Sequence, residues 1–168
     1  SARRGRGGAG RGPGGCGKTR LALQVALDLP YNFHDGVWLI ELAPLTEPGL
    51  VPQTAAVVLG LKEEPGRPVQ FTLADHLRGK KILLVVDNCE HLVTASAQVA
   101  NTLLNAALNL KVLASSREAL GVKGELSYPV PSLSLPDLKH LPTIEQLSQY
   151  ESVRLFIDRA LLVAPHFV

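Results

Sequence analysis

The stretch GPGGCGKT, Gly12 to Thr19, decides how the chain is read. It fits G-x-x-x-x-G-K-[ST], the pattern of a phosphate-binding loop. A chance match is about one in 10⁴ per position at ordinary residue frequencies. The chemistry asks for these residue types. Gly12, Gly14, Gly15 and Gly17 let backbone N–H groups curl around phosphate oxygens without Cβ clashes, and Cys16 lies within the same loop. Lys18 is placed to reach β- and γ-phosphates, and Thr19 Oγ to ligate Mg²⁺. The helix that follows turns its positive dipole end toward the anion.

A loop of this kind should leave the end of a buried strand. Residues 1–11 read SARRGRGGAGR, with no apolar run, so they are expected to form an Arg/Gly-rich, disordered tail in place of that strand. The tail holds Arg3, Arg4, Arg6 and Arg11 and no acid, which leaves 13 of the 17 basic residues to face all 15 acidic ones. The net charge of +2 thus belongs to the tail, and the rest carries no nucleic-acid signature. The chain contains no Met and reads as a fragment. The compositional break at Gly12 resembles GC-rich coding DNA read out of frame or across a gene boundary.

The chain has 168 residues, 46% hydrophobic and 19% charged, which suits one globular domain with a substantial core. No apolar run approaches ~18 residues, so no membrane span is expected. The basic N-terminus lacks the apolar segment of a signal peptide, and a cytoplasmic location follows. Cys16 and Cys89 lack zinc-type spacing, and a reduced pair is the default reading over a regulatory disulfide.

Downstream of the loop, residues 18–29 read as a helix with Leu21, Val25 and Leu29 on one face, stopped by Pro30. Val37 to Leu42 is strand-like, 50–60 helical with Gly60 at its end, and Thr72 caps a short helix over 73–78. Ile82 to Val86 is an apolar run suited to a strand covered on both faces. A helix over His91 to Leu108, a strand over Lys111 to Ser115 and an edge strand over Leu126 to Val130 follow, Pro129 excluding an inner position for the last. Residues 131–142 are a proline-rich linker. Thr143 opens a helix with Gln146 as capping-box partner, and a last helix over 150–163 carries Val153, Phe156, Ile157, Ala160 and Leu161 on one face. Alternating helices and buried strands predict a parallel α/β sheet.

Two further segments carry chemistry. In ILLVVDN, Asp87 ends a buried strand and is placed to hold Mg²⁺ opposite Thr19, against the plainer reading of a helix-capping acid. The residue after it, Asn88, cannot act as a base. Glu90 is the nearest carboxylate, either to activate water or to sit as a dipole-favoured acid in the first turn of the next helix. In ASSRE, Arg117 follows the next strand and could stabilise γ-phosphate charge, or be a solvated surface residue. Ser115 or Ser116 is a candidate polar sensor at the strand tip. Cys16 and Cys89 have no adjacent base and read as spectators, and the five histidines form no ligand cluster.

Together GPGGCGKTRLALQVA, DGVWLIELAPLTEPGLV, LLVVDNCEHL, VLASSREALGVKGE, YPVPSLSLP and YESVRLFIDRA resemble the nucleotide-binding domain of STAND-class NTPases, the AP-ATPase or NB-ARC group. More narrowly, they resemble the ATPase modules of bacterial LuxR-type and winged-helix transcriptional regulators. The resemblance runs nearly continuously from Gly12 to the C-terminus. It implies a P-loop NTPase fold, three layers α/β/α around a mostly parallel sheet ordered 5-1-4-3-2, here with its first strand apparently missing. It also implies a domain over 12–136 and the start of a helical subdomain over 137–168. Walker A falls on Gly12 to Thr19, Walker B on Asp87 and the sensor-type arginine on Arg117. Lys18, Asp87, Glu90 and Arg117 are the catalytic candidates, with ATP or ADP and Mg²⁺ as cofactors.

The resemblance further implies a slow switch, closed with ADP and opened by ATP and an inducer, with Asn88 fitting weak turnover. DNA would be met through a separate domain, and self-association would accompany opening. Three other readings stand beside it. One is a small-molecule kinase, for which segment 61–80 offers only Arg67 and Arg78 as a lid. Another is an RNA binder working through the Arg/Gly tail. The last is a non-functional fragment.

Overall fold

The computed structural model describes residues 7–11, 16–137, 139–140 and 142–164. Contacts divide the chain into two units, Ser1–Val130 and Pro131–Val168. The first unit runs β1 (Gly7–Arg11), α1 (Lys18–Asp28), β2 (Val37–Glu41), α2 (Val51–Val58), α3 (Val69–Leu77), β3 (Leu83–Asp87), α4 (Val93–Ala106), β4 (Lys111–Ser116) and β5 (Glu125–Pro129). The five strands form one sheet in the order β5-β1-β4-β3-β2, and every pairing is parallel.

The expected loss of the first strand is corrected here. Gly7–Arg11 is β1, and it sits inside the sheet, between β4 and β5. Gly8 pairs with Leu113 on one side and Leu126 on the other, and Gly10 with Ser115 and Tyr128. A sheet ladder uses only backbone N–H and C=O groups, and glycine supplies both. Without β1, the facing edges of β4 and β5 would be left with unpaired groups at about 1–3 kcal/mol each where buried. That demand outweighs the poor strand propensity of glycine. The remainder of the expected tail, residues 1–6, lies outside the described residues.

Two apolar layers cover the sheet. Ile40, Leu84, Val112 and Ala114 face α2, α3 and α4, where Leu73, Leu77 and Leu103 are almost wholly buried. On the opposite face Leu83 and Val85 meet Ala22 and Ala26 of α1. The buried stripe of α1 is therefore Lys18, Ala22 and Ala26, one position on from the predicted Leu21, Val25 and Leu29. Alanines let the helix settle closely on β3 and β4, and Leu21 is left 42% exposed. The other boundaries move by a few residues. The helix expected over 73–78 starts at Val69, because Pro68 holds extended backbone and launches it there, so Thr72 lies inside α3 and caps nothing. Gly60 closes α2 as predicted. At φ 71° it allows a Schellman pair, Leu61 N–H to Ala56 O at 2.9 Å and Gly60 N–H to Val57 O at 3.0 Å.

The second unit holds α5 (Ile144–Leu147) and α6 (Glu151–Val163). Thr143 and Gln146 form the predicted capping box. Ser134 and Glu151 bond reciprocally: Ser134 N–H donates to Glu151 Oε2 at 3.0 Å, and Glu151 N–H to Ser134 Oγ at 2.9 Å. Of the predicted apolar face of α6, Phe156 is 63% exposed.

Candidate functional site

Three elements converge at the carboxyl ends of the parallel strands, the edge where open α/β sheets place their ligands. α1 begins there, and β3 and β4 end there. Gly17 is the N-cap of α1 at φ 85°, a left-handed conformation that glycine takes without steric cost. Gly12, Gly14 and Gly15 lie outside the described residues. Lys18, the first residue of α1, is buried, and its Nζ lies 3.9 Å from Cys16 Sγ.

Asp87 is the last residue of β3 and is also buried. Thr19 Oγ1 donates to both of its carboxylate oxygens, at 2.8 and 3.0 Å, across 68 residues of sequence. Ser115 Oγ donates to Asp87 Oδ1 and accepts the Asn88 N–H at 3.0 Å. Sequence alone left Ser115 and Ser116 equivalent. They are not: Ser116 is fully buried, and its Oγ accepts the Glu118 N–H at 3.4 Å. Strand alternation separates them, since of the two Ser115 shares its face with α1.

Asn88 has a structural reason to be there. At φ 64° it is the one described non-glycine residue with positive φ, and Asn tolerates that conformation better than most. It turns the chain out of β3 into a short turn, Cys89–His91. His91, a residue the sequence placed near the site only by adjacency, is a clamp. Its Nε2 lies 3.1 Å from Leu42 O and 2.8 Å from Leu45 O, while Asn88 Nδ2 lies 3.4 Å from its Nδ1. A neutral ring carrying its proton on Nε2 satisfies all three contacts and ties the exit of β2 to the exit of β3.

Glu90 lies in that turn, before α4 and not in its first turn. One carboxylate oxygen pairs with Arg117 Nε at 3.3 Å; the other, Oε2, is buried with no hydrogen-bond partner among the described residues. Arg117 itself is 64% exposed. Cys89 is fully buried, and burial pushes its thiol up to about 12. Both cysteines are free thiols. Arg67 and Arg78 both pair with Asp75 on the surface, and Arg67 also with Glu64, which engages the two arginines of segment 61–80.

The donor set can be tested against a cation. Among the described residues, no group of three or more His, Cys, Asp or Glu side chains could hold a metal. A hydroxyl and a carboxylate together are hard oxygen ligands of the kind Mg²⁺ takes when phosphates and waters complete its shell. Thr19 and Asp87 fit that partial role.

No protein-family profile matches the chain. It is 42% identical over 156 residues to a protein of Mycobacterium tuberculosis provisionally named an HTH-type transcriptional regulator. It is 36% identical over 156 residues to an uncharacterised protein of the same organism. These matches cover 93% of this chain but only 16% and 36% of the relatives, so the chain spans a minor part of their length. Among solved structures, it is similar to Drosophila ORC bound to GC-rich DNA and Cdc6, with TM-score 0.52 and 14% identity, covering 94% of this chain and 57% of that one. It is also similar to Drosophila ORC bound to AT-rich DNA and Cdc6, with TM-score 0.51 and 16% identity, covering 94% and 56%. At these identities the likeness establishes the fold alone, a parallel α/β sheet flanked by helices. No described helix is long and apolar enough to cross a membrane.

Proposed function

We propose that this chain is an ATP/ADP-binding switch domain of the STAND class, with weak Mg²⁺-dependent hydrolysis, from a signal-responsive transcriptional regulator. The observation that carries the reading is the approach of Thr19 to Asp87 beside the buried Lys18. Residues 68 apart meet at the sheet edge where the phosphate loop begins its helix. In this reading Gly12, Gly14, Gly15, Cys16 and Gly17 cradle the phosphates with backbone N–H groups. Lys18 neutralises the β- and γ-phosphates, and Thr19 and Asp87 hold Mg²⁺. When bound, the metal neutralises developing phosphate charge. Ser115 holds Asp87 in place, and Arg117 answers to the γ-phosphate.

Glu90 is the available carboxylate for orienting water, and its tie to Arg117 suits slow turnover. The provisional name of the relative that is 42% identical supports a regulatory setting. DNA contact would come through a separate domain of a longer protein, together with self-association.

Calorimetric titration with Mg·ADP and Mg·ATP tests the reading. Binding tighter than about 100 μM, roughly −5.5 kcal/mol, is expected, with Lys18→Ala abolishing it. Phosphate release should need no acceptor, which separates a switch from a kinase. Absence of saturable heat with either nucleotide would sink the proposal.

A further inference from the structure

The glycines of β1 leave a space. Parallel register puts Leu113, Gly8 and Leu126 in one row across the sheet, and Ser115, Gly10 and Tyr128 in the next row on the same face. In both rows the middle position has no side chain. α1 crosses above them, and between helix and sheet lies a cavity of about 310 Å³. Leu21, Val25, Leu113, Leu126, Tyr128 and Val130 form most of its wall, and the buried Lys18 and Ser115 of the site described above also line it. This space also explains why α1 buries Ala22 and Ala26 and leaves Leu21 partly uncovered. The Leu21 side chain borders this space together with Leu113 and Leu126.

We propose that this cavity is a binding site for a small, planar, uncharged apolar molecule of up to two fused rings. The size follows from volume, since an apolar cavity of about 150 Å³ accepts benzene and this one is about twice as large. The chemistry follows from the lining. Water held inside needs two to four polar partners, and aliphatic side chains make up most of this wall. Tyr128 and Leu126, 63% and 64% exposed on the edge strand, leave a way in from solvent. Lys18 and Ser115 add an ammonium and a hydroxyl to a wall that is otherwise mostly apolar, which suits an uncharged ring bearing a single polar atom.

Indole is the probe. Titration into the full chain, without nucleotide, is followed through methyl-labelled Leu and Val resonances. Saturable shifts confined to Leu21, Val25, Leu113, Leu126 and Val130 are expected, with a dissociation constant of about millimolar, typical of a ligand this small. Gly8→Val fills the vacant row with a good strand former and should weaken indole at least tenfold. If that variant fails to fold, Val25→Phe fills the same space from the helix side with the same expected loss. No saturable shift, shifts centred on Leu73, Leu77 and Leu103, or unchanged affinity in a folded filled variant would each overturn the proposal. Should neither variant fold, the location of the wild-type shifts decides. The cavity shares Lys18 and Ser115 with the proposed nucleotide site, so the titration is run without nucleotide and its outcome is read separately from the Mg·ADP titration.

Discussion

Asp87→Asn separates two jobs that the same carboxylate is assigned. It keeps the shape and removes the charge. In the protein alone, the side chain accepts hydrogen bonds from Thr19 Oγ1 and from Ser115 Oγ. One oxygen survives in the amide, and the other hydroxyl can rotate to accept from the new N–H. Two charge-assisted bonds become neutral ones, each losing about 1 kcal/mol. Stability should fall by about 1–2 kcal/mol, or roughly 2–8 °C in unfolding midpoint for a chain this long.

Ligand linkage behaves differently. At 100 times its dissociation constant, Mg·ADP adds about 2.7 kcal/mol to the wild type, a rise of roughly 5–11 °C. If Asp87 holds the metal, the variant gains no more from Mg·ADP than from ADP with EDTA. Thermal unfolding of both proteins under the three conditions reads this directly. A variant that keeps the full Mg²⁺-dependent rise would refute the metal role. A loss of more than about 5 kcal/mol without nucleotide would make Asp87 chiefly a structural group.

Two other outcomes can be checked. Arg117→Ala should weaken ATP at least tenfold while leaving ADP within about twofold, since only ATP brings a γ-phosphate, worth about 1.4 kcal/mol per tenfold; equal losses measured by calorimetry would place Arg117 outside the nucleotide site. Iodoacetamide should alkylate Cys16 and spare Cys89, whose thiol is buried and held protonated to about 12. Mg·ADP should protect Cys16, and peptide mass mapping that finds Cys89 modified first would contradict the packing.

Much of the architecture was legible because its signals are local. The apolar run before Asp87 announces a strand covered on both faces, and Pro129 announces an edge strand. The order 5-1-4-3-2 implied by the resemblance is the order found. β1 was illegible for a physical reason. Its place rests on backbone pairing with two distant strands, and Gly7 to Arg11 carry none of the side-chain pattern from which strands are read. The stripe of α1 was misplaced for a related reason, because Leu21 and Val25 have the right periodicity while the sheet beneath them lacks the bulk to receive them. At the site, spacing brought out Lys18, Thr19 and Asp87. The choice between Ser115 and Ser116 depends on which face of β4 each occupies. The left-handed turn at Asn88 and the tie of His91 to Leu42 and Leu45 depend on contacts between separate strands.

Among the described residues, β5 is hydrogen-bonded to the sheet through β1. Its hydrogen-bonding partner is a strand that brings little apolar surface of its own, so the attachment of both strands rests largely on one shared ladder. The two should therefore open and close as a single cooperative unit, distinct in stability from the β2-β3-β4 half, whose side chains interlock with helices on both faces. α1 spans that seam, resting on β3 and β4 and also touching β1. Whatever tightens the hold of α1 on β1 would also fasten the outer strand.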